Sequence, residues 1–168
     1  GIARRSAYRL LRLVNRLLDL ARLESGHMVL EAQPADLAAF VQRTAETFVP
    51  LAERRQVTLR HTAPAIPFRV AFDPDKMEEV LVNLLSNAFK ATPAGGNIHV
   101  STLLRGDVAE VRVADTGTGI DPESLGVIFD RFRRGKHALP GTTGTGIGLN
   151  LVQELVHLHG GEVSVESV

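Results

Sequence analysis

Apolar residues in the first 26 positions recur at the spacing of a helix that packs against another helix. Leu10, Val14, Leu17 and Ala21 follow one another at intervals of four, three and four residues, as in the seam of a coiled coil or helical bundle. Gly26 then ends the predicted helix. Because one helix cannot bury this much leucine alone, we expect a helix cut from a larger bundle; a terminal helix docked on its own domain is the alternative.

Residues 27–120 alternate between strand-like and helix-like patterns. Asp73 and Pro74 form a typical helix start, with an N-cap carboxylate followed by proline at the first helical position. Apolar residues then follow with helical period, and another helix is predicted to begin near Asp36. Short strands are predicted at residues 28–32 and 57–61, and a hairpin at residues 98–104 and 109–113, whereas residues 71–72 are merely apolar and short.

The last third of the chain is polar and glycine-rich before a final helix. Residues 121–143 carry one short helical signal around residues 125–132, a helix is predicted at about residues 145–159, and residues 162–166 read as a last strand. The elements together predict an α/β (α+β) fold. We expect a two-layer sandwich in which helices cover one face of a mixed sheet, because the hairpin strands alternate between polar and apolar residues.

Composition excludes several kinds of function. The 168 residues suffice for one compact domain and a short appendage. Nineteen basic and nineteen acidic residues cancel, so no nucleic-acid partner is expected, and the absence of cysteine excludes disulfides, thiolate metal sites and a cysteine nucleophile. No apolar run reaches the roughly 18 residues of a membrane span, and no signal-peptide pattern opens the chain. We expect a soluble, cytoplasmic protein; any membrane-attached part of a parent protein lies outside this sequence.

Four polar residues form one stripe on the helix that follows Pro74. Glu79, Asn83, Asn87 and Lys90 are spaced four, four and three residues apart, which places them on one side of a helix. Asparagine is a poor helix former, and its neutral amide oxygen suits a hard cation such as Mg2+, while a lysine can contact a phosphate. A solvated helix face would show the same pattern, so the stripe alone leaves both interpretations open.

Two glycine-rich segments complete the candidate chemistry. Residues 115–120 (DTGTGI) follow a predicted strand; the glycines permit a sharp turn and a close approach of a ligand, and Asp115 is a good acceptor for an exocyclic amine, although an ordinary Asp-Gly turn is the alternative. Residues 144–149 (GTGIGL) open a helix, whose N–H groups and positive end favour phosphate. No strand precedes these glycines and no Gly-Lys-Ser/Thr follows them, which argues against a Rossmann motif and a Walker loop.

The polar stripe and the two glycine-rich segments, in this order along the chain, resemble the ATP-binding domain of sensor histidine kinases. This domain belongs to the wider GHKL family of gyrase, heat-shock chaperone and mismatch-repair ATPases. Residues 83–90 (NLLSNAFK) resemble the N box, residues 115–120 and 144–149 the two glycine boxes, and residues 129–132 (FDRF) the F box. Residues 159–163 (HGGEV) are also typical, and residues 7–26 resemble the second helix of the dimerisation and phosphotransfer hairpin. The resemblance implies a Bergerat-type ATP-binding fold with an N-terminal bundle helix.

The resemblance also implies roles for individual residues. Asn87 would hold Mg2+, Lys90 would contact a phosphate of ATP, and Asp115 would accept a hydrogen bond from the adenine amino group. Residues 121–143 would form a lid, from which Arg131 or Arg134 would reach the terminal phosphate. The catalytic set would be Asn83, Lys90 and Arg134. The ATP-binding set would be Asn83, Asn87, Lys90, Asp115, Gly117, Gly119, Ile120, Arg131, Arg134, Gly144, Thr145, Gly146, Ile147, Gly148 and Leu149.

A division of the chain and a set of partners follow from the same resemblance. Residues 1–26 would be a remnant of the dimerisation helix and residues 27–168 the catalytic domain, with a further C-terminal strand missing. None of the six histidines has the phosphoacceptor context, so each is expected to be structural or on the surface. The γ-phosphoryl group would pass to a histidine on the dimerisation helices of the same protein, a bacterial homodimer, and then to the receiver domain of a response regulator.

Two positions depart from patterns found elsewhere in the family. Asn83 stands where the hydrolysing relatives usually carry a glutamate that activates water; an amide cannot act as a general base, which favours transfer to a protein. Ala91 stands where kinases of the family often carry an aromatic residue near the base. The alternative is therefore a degenerate, non-catalytic nucleotide-binding or scaffold module of the same fold.

Overall fold

The computed structural model describes Val14, residues 28–130 and residues 147–167. The predicted bundle helix and residues 131–143 of the predicted lid lie outside the described residues, apart from Val14. No helix in the described part of the chain is long and apolar enough to cross a membrane. The elements in chain order are β1 (Gln33–Asp36), α1 (Leu37–Glu46), α2 (Val49–Arg55), β2 (Thr58–Thr62), β3 (Arg69–Phe72), α3 (Pro74–Ala91), β4 (Asn97–Arg105), β5 (Val108–Asp115), α4 (Pro122–Leu125) and α5 (Gly148–Leu158).

The strands form a mixed three-stranded sheet and a separate two-stranded pair. In the sheet the order is β2-β4-β5, with β2 parallel to β4 and β4 antiparallel to β5. In the pair, β1 runs antiparallel to β3. The hairpin between β4 and β5 turns through Gly106, whose φ of 60° is a conformation that glycine adopts readily. The predicted mixed sheet and hairpin are therefore confirmed.

Helix α3 lies between two hydrophobic clusters. On one side Leu81, Leu85 and Phe89 pack with Ile98 and Val100 of β4, in a core that also takes in α1 and the inner face of β5. On the opposite face of β4, His99 and Leu103 are exposed, whereas Ser101 between them is only 8% exposed, so this face is partly open to solvent. On the other side of the helix a smaller cluster joins α3 to α5 through Val80, Leu151, Val152 and Leu155.

Asp73 begins α3 as the sequence predicts, and it also holds the segment that precedes β1. Its Oδ1 accepts hydrogen bonds from the N–H groups of Asp75 and Lys76, at 3.0 and 3.1 Å, and its Oδ2 accepts one from Glu31 N–H at 2.9 Å. Burial alone would raise the pKa of the Asp73 carboxyl, but these three donors together lower the pKa below its ordinary value. The start of α3 is therefore stabilised by an ionised, buried cap.

His159 connects the end of α5 to the start of α3. Its Nε2 accepts a hydrogen bond from Asp73 N–H at 3.1 Å, while its Nδ1 lies 2.7 Å from the carbonyl oxygen of Leu155. Because the first partner is a donor and the second an acceptor, this network assigns a neutral ring with its proton on Nδ1. The expectation of a structural histidine is met at this position.

Three sequence predictions about local structure are wrong. The first strand lies at Gln33–Asp36 rather than at residues 28–32, because its register is set by pairing with β3; Val29, in the predicted strand, is 81% exposed. The short helix is Pro122–Leu125 rather than residues 125–132, since Asp121 caps it at the earlier position. Residues 161–167 form no strand, although Glu166 lies 3.7 Å from Arg112 of β5.

Candidate nucleotide-binding site

The polar stripe of α3 is present, and its members differ in burial. Asn83 is 6% exposed, whereas Glu79, Asn87 and Lys90 are half-buried. Asn83 Nδ2 donates to the carbonyl oxygen of Glu79 at 2.8 Å, which fixes the orientation of the amide. Lys90 Nζ donates to Asn87 Oδ1 over a long 3.5 Å. The stripe therefore begins with the fixed, buried amide of Asn83. The more accessible amide of Asn87 lies about one turn farther along the helix, and the Lys90 cation about two turns farther.

The start of α5 faces Asn83. A Cβ atom added to Gly148, the first residue of α5, would lie 2.9 Å from Asn83 Oδ1, a separation that Cβ atoms do not reach without a shift of the neighbour. The preceding residue, Ile147, is completely buried, and Leu149 is half-buried. The lack of a side chain at Gly148 therefore lets the start of α5 approach Asn83 this closely without displacing its amide, and it brings the positive end of that helix to the stripe.

Residues 115–120, which we call the glycine loop, lie against the C-terminal end of α3. Asp115 ends β5, is exposed, and its Oδ1 accepts a hydrogen bond from Gly117 N–H at 2.9 Å. A Cβ atom on Gly117 would lie 2.6 Å from the carbonyl oxygen of Ala91, to which Thr118 N–H donates at 3.3 Å. Gly119 has a φ of 67°, so both glycines are required, one for close approach and the other for a left-handed backbone.

Thr116 received no role from the sequence, yet it joins the glycine loop to β4. Its N–H donates to the carbonyl oxygen of Asn97 at 3.0 Å, and its Oγ1 accepts from Asn97 N–H at 2.9 Å. A Cβ atom on Gly96 would lie 3.1 Å from the same Oγ1. A threonine at the end of a strand and before glycine is a known signal for a side-chain-to-backbone hydrogen bond, and this signal could have identified it.

The remaining predicted site residues are only partly described. Ile120 is half-buried, and its N–H donates to Ser167 Oγ at 2.8 Å; Phe129 of the predicted F box is also half-buried. The structure brings Asn83, Asn87, Lys90, Asp115, Gly117, Gly119 and Gly148 to α3 and to the two segments that pack on it. Arg131, Arg134, Gly144, Thr145 and Gly146 lie outside the described residues.

The donor set of the stripe fits a hard cation that is bound together with an anionic ligand. Asn87 Oδ1 accepts a long hydrogen bond from Lys90, and an amide oxygen has two lone pairs with which to accept. Among the described residues no group of three or more His, Asp or Glu side chains is arranged to hold a metal ion. A cation at Asn87 would therefore need further oxygen ligands from water and phosphate, which is the usual arrangement for Mg2+.

A helix with an amide stripe, a glycine loop carrying a carboxylate and the N-terminus of a second helix together define a nucleotide-binding α/β domain. Residues 72–168 match the family described as histidine kinase-, DNA gyrase B-, and HSP90-like ATPase. This match covers more than half of the 168 residues, and the chain belongs to this family. The predicted resemblance is thereby confirmed.

The similar proteins are histidine kinases. Hybrid signal transduction histidine kinase D of Dictyostelium discoideum is 38% identical over 99% of this chain and 11% of its own length. Sensor histidine kinase TmoS of Ectopseudomonas mendocina is 39% identical over 98% of this chain and 17% of its own length. The crystal structure of full-length ShkA in complex with AMPPNP is 29% identical, with a TM-score of 0.81, and the match covers 94% of this chain and 32% of that one. The chain thus spans less than a fifth of both curated relatives.

Proposed function

We propose that this chain is the ATP-binding catalytic part of a two-component sensor histidine kinase. It transfers the γ-phosphoryl group of Mg-ATP to a histidine on a dimerisation domain outside this sequence, for relay to a response regulator. The observation that carries the proposal is the placement on one helix, α3, of Asn87 and Lys90, with Gly148 of α5 against its middle and the glycine loop against its end. The kinase relatives and the AMPPNP in the ShkA structure support it.

Each part of the arrangement has a separate task in this proposal. Asp115 accepts the amino group of adenine, while Gly117, Gly119 and Ile120 shape the pocket for the base. Lys90 and the N-terminus of α5 neutralise phosphate charge. Asn87 holds Mg2+, which supplies further neutralisation when it is bound. Phosphoryl transfer depends mainly on such positioning and charge neutralisation.

Asn83 supports transfer to a protein over hydrolysis. Its amide is oriented by the hydrogen bond to Glu79 and lies beside Gly148, where it contributes to the catalytic set by holding the two helices in place. An amide does not take a proton from water at neutral pH, so it does not generate a hydroxide nucleophile. A kinase that retains ATP until its protein acceptor arrives benefits from this property.

The wider assignments complete the proposal. Residues 1–26 belong to the dimerisation helix and residues 27–168 to the catalytic domain, with a lid at residues 121–143 that supplies Arg131 and Arg134. Gly144, Thr145 and Gly146 bind phosphate together with Ile147, Gly148 and Leu149. The partners are the dimerisation and phosphotransfer helices of the same protein, which is a homodimer, and the receiver domain of a response regulator.

Calorimetric titration of the chain with an ATP analogue, ADP and adenosine, with and without Mg2+, tests the proposal. We expect Asn87→Ala to remove the dependence of binding on Mg2+, because a metal ligand is lost. Asp115→Ala should weaken binding of all three ligands by about tenfold or more, because the amino group of the base loses its acceptor. Asp107→Ala, which changes an exposed turn, is the control.

Unchanged adenosine and ADP affinity in Asp115→Ala would contradict the assignment of the pocket. Catalysis is tested by mixing the chain with a separately produced dimerisation domain and labelled ATP, and acid-labile phosphate is expected on that domain but not on this chain. Binding without any transfer would favour the non-catalytic module instead.

A further inference from the structure

The antiparallel ladder between β4 and β5 ends in an unusual pair. The residues following the pair Ile98–Asp115 are Asn97 and Thr116. In a regular pair of this kind, each residue donates its N–H to the backbone carbonyl of the other. Thr116 N–H does donate to the Asn97 carbonyl oxygen at 3.0 Å, but Asn97 N–H donates to Thr116 Oγ1 at 2.9 Å. The hydroxyl therefore occupies the place of a backbone carbonyl.

This exchange of acceptors lets the chain leave the sheet at a defined residue. With Asn97 N–H satisfied by the side chain, the peptide group after Thr116 is released from the ladder, and the donor at the start of β4 keeps a partner within the chain. The next two N–H groups turn to other acceptors: Gly117 N–H to Asp115 Oδ1, and Thr118 N–H to the carbonyl oxygen of Ala91. The Thr116 hydroxyl thus ends β5 directly after Asp115.

The hydroxyl lies next to Gly96, in the turn between α3 and β4. A Cβ atom on Gly96 would lie 3.1 Å from Thr116 Oγ1 and 2.4 Å from Thr92 Cγ2. Thr92 in turn donates through its own hydroxyl to the carbonyl oxygen of Ala88 at 2.7 Å. Thr116 Oγ1 therefore lies beside the turn that leads from the C-cap of α3 into β4, and the Asp115 carboxylate precedes it by one residue.

We propose that Thr116 is a positioning residue for recognition of the adenine amino group. By accepting Asn97 N–H through its side chain, it ends β5 at Asp115 and holds the carboxylate at a fixed place relative to α3. It acts through Asp115 and not by its own contact with the base. This inference rests on the proposed function, because it requires that Asp115 accepts the amino group.

The test compares Thr116→Val, which keeps the shape but removes the acceptor, with Thr116→Ser, which keeps the hydroxyl. The affinities of the 168-residue chain for ADP and for purine riboside diphosphate, which lacks the amino group, are measured for both variants. We expect wild type and Thr116→Ser to prefer ADP by about tenfold or more. In Thr116→Val that preference should fall by at least about fivefold, while affinity for the purine analogue stays within about twofold. A purely structural role would lower both affinities together.

A second measurement does not depend on nucleotide. Exchange of the Asn97 amide hydrogen should be slow in wild type and in Thr116→Ser, and about tenfold or more faster in Thr116→Val, because the acceptor is lost. If Thr116→Val does not fold, Thr116→Ala replaces it in both measurements. Fast exchange of Asn97 in the wild-type chain would overturn the inference without any variant.

The outcomes separate this inference from the proposed function. If wild type prefers ADP, Asp115→Ala abolishes the preference and Thr116→Val retains it, the inference fails and the proposed function stands. If wild type shows no preference and Asp115→Ala changes nothing, the assignment of the adenine pocket fails, and the role of Thr116 falls with it.

Discussion

Helix α3 and the glycine loop form two walls of the candidate site, and they are stabilised in different ways. Helix α3 buries Leu81, Leu85 and Phe89 in the larger core cluster and Val80 in the smaller one. The glycine loop has no fully buried side chain, and it is held by hydrogen bonds to Ala91, Asn97 and Ser167. One wall is part of the hydrophobic core, whereas the other is attached to it.

This difference determines what a substitution can change. Burial of a large aliphatic side chain contributes about 1.5–3 kcal/mol, and a single hydrogen bond contributes about 0.5–1.5 kcal/mol. A change in the core of α3 should therefore reduce the stability of the whole domain. A change in the glycine loop should alter nucleotide binding more than it alters the free energy of unfolding.

The largest expected effect is that of Leu85→Ala on the α3 wall. Leu85 is 1% exposed, and its truncation should lower the free energy of unfolding by about 2–5 kcal/mol, because the surrounding core cannot fill the cavity. Urea denaturation measures the loss. The exposed Glu78→Ala on the same helix should change stability by less than about 0.5 kcal/mol. Equal losses in the two variants would contradict the description of α3 as a core helix.

A smaller loss of stability, with a larger loss of binding, is expected for Gly117→Ala. The new Cβ atom would lie 2.6 Å from the Ala91 carbonyl oxygen, so the loop must move away from α3. We expect stability to fall by about 1–3 kcal/mol and affinity for ADP to fall by about tenfold or more. Gly126→Ala is the matched control, because a Cβ atom there meets nothing within 4 Å and its φ of −68° suits alanine. If Gly117→Ala bound ADP with the affinity of wild type, close packing of the glycine loop on α3 would not be needed for nucleotide binding.

The smallest effect concerns the polar contacts at the start of α3. Asp73→Asn keeps one acceptor oxygen but presents an NH2 group to Glu31 N–H, so a loss of about 1 kcal/mol is expected at pH 7. The pKa of Asp73 is lowered on folding from its ordinary value of 3.8. Its contribution is therefore complete above pH 3.8 and is lost as the pH falls through the lower folded-state pKa.

The difference in unfolding free energy between wild type and Asp73→Asn should accordingly shrink below about pH 4. Asp36→Asn, at the N-cap of α1 where one oxygen accepts Ala39 N–H, should cause a change of less than about 0.5 kcal/mol, since Asn is an equally good cap. A pH-independent difference for Asp73→Asn would show that ionisation of the cap contributes nothing.

Local signals account for the parts of the fold that the sequence predicted well. Asp73 and Pro74 mark the start of α3, and the helical period identifies Val80, Leu81 and Leu85 as its buried face. The strands of the hairpin follow from their alternation and from Gly106. Each of these signals lies within a few residues of the element it predicts, so no knowledge of distant partners was needed.

Non-local contacts account for the errors. Residues 28–32 and 162–166 both have strand-like composition, but a strand forms only where a neighbouring strand can hydrogen-bond to it. Strand β3 pairs with Gln33–Asp36 and not with residues 28–32. In the candidate site, the side chains of Asn83 and Asn87 on α3 could be predicted to share one face from their spacing in the sequence. Two other features could not be predicted in this way: the burial of Asn83 against Gly148 and the hydrogen bond between Thr116 and Asn97. They depend on how α5 packs against α3 and how β4 pairs with β5, and the spacing of residues along the chain does not reveal either.

The parallel pairing of β2 with β4 has a consequence for the order in which the chain folds. The chain between these strands passes through β3 and α3, so their pairing closes a long loop, and such non-local pairings form slowly. The first pair of this ladder joins Thr58 to Asn97, the same residue whose N–H donates to Thr116 Oγ1. Asn97 therefore belongs both to the local hairpin that carries the glycine loop and to the long-range parallel ladder. We expect nucleotide competence to require this long-range topology as well as the local segments, because the start of β4 is held by both.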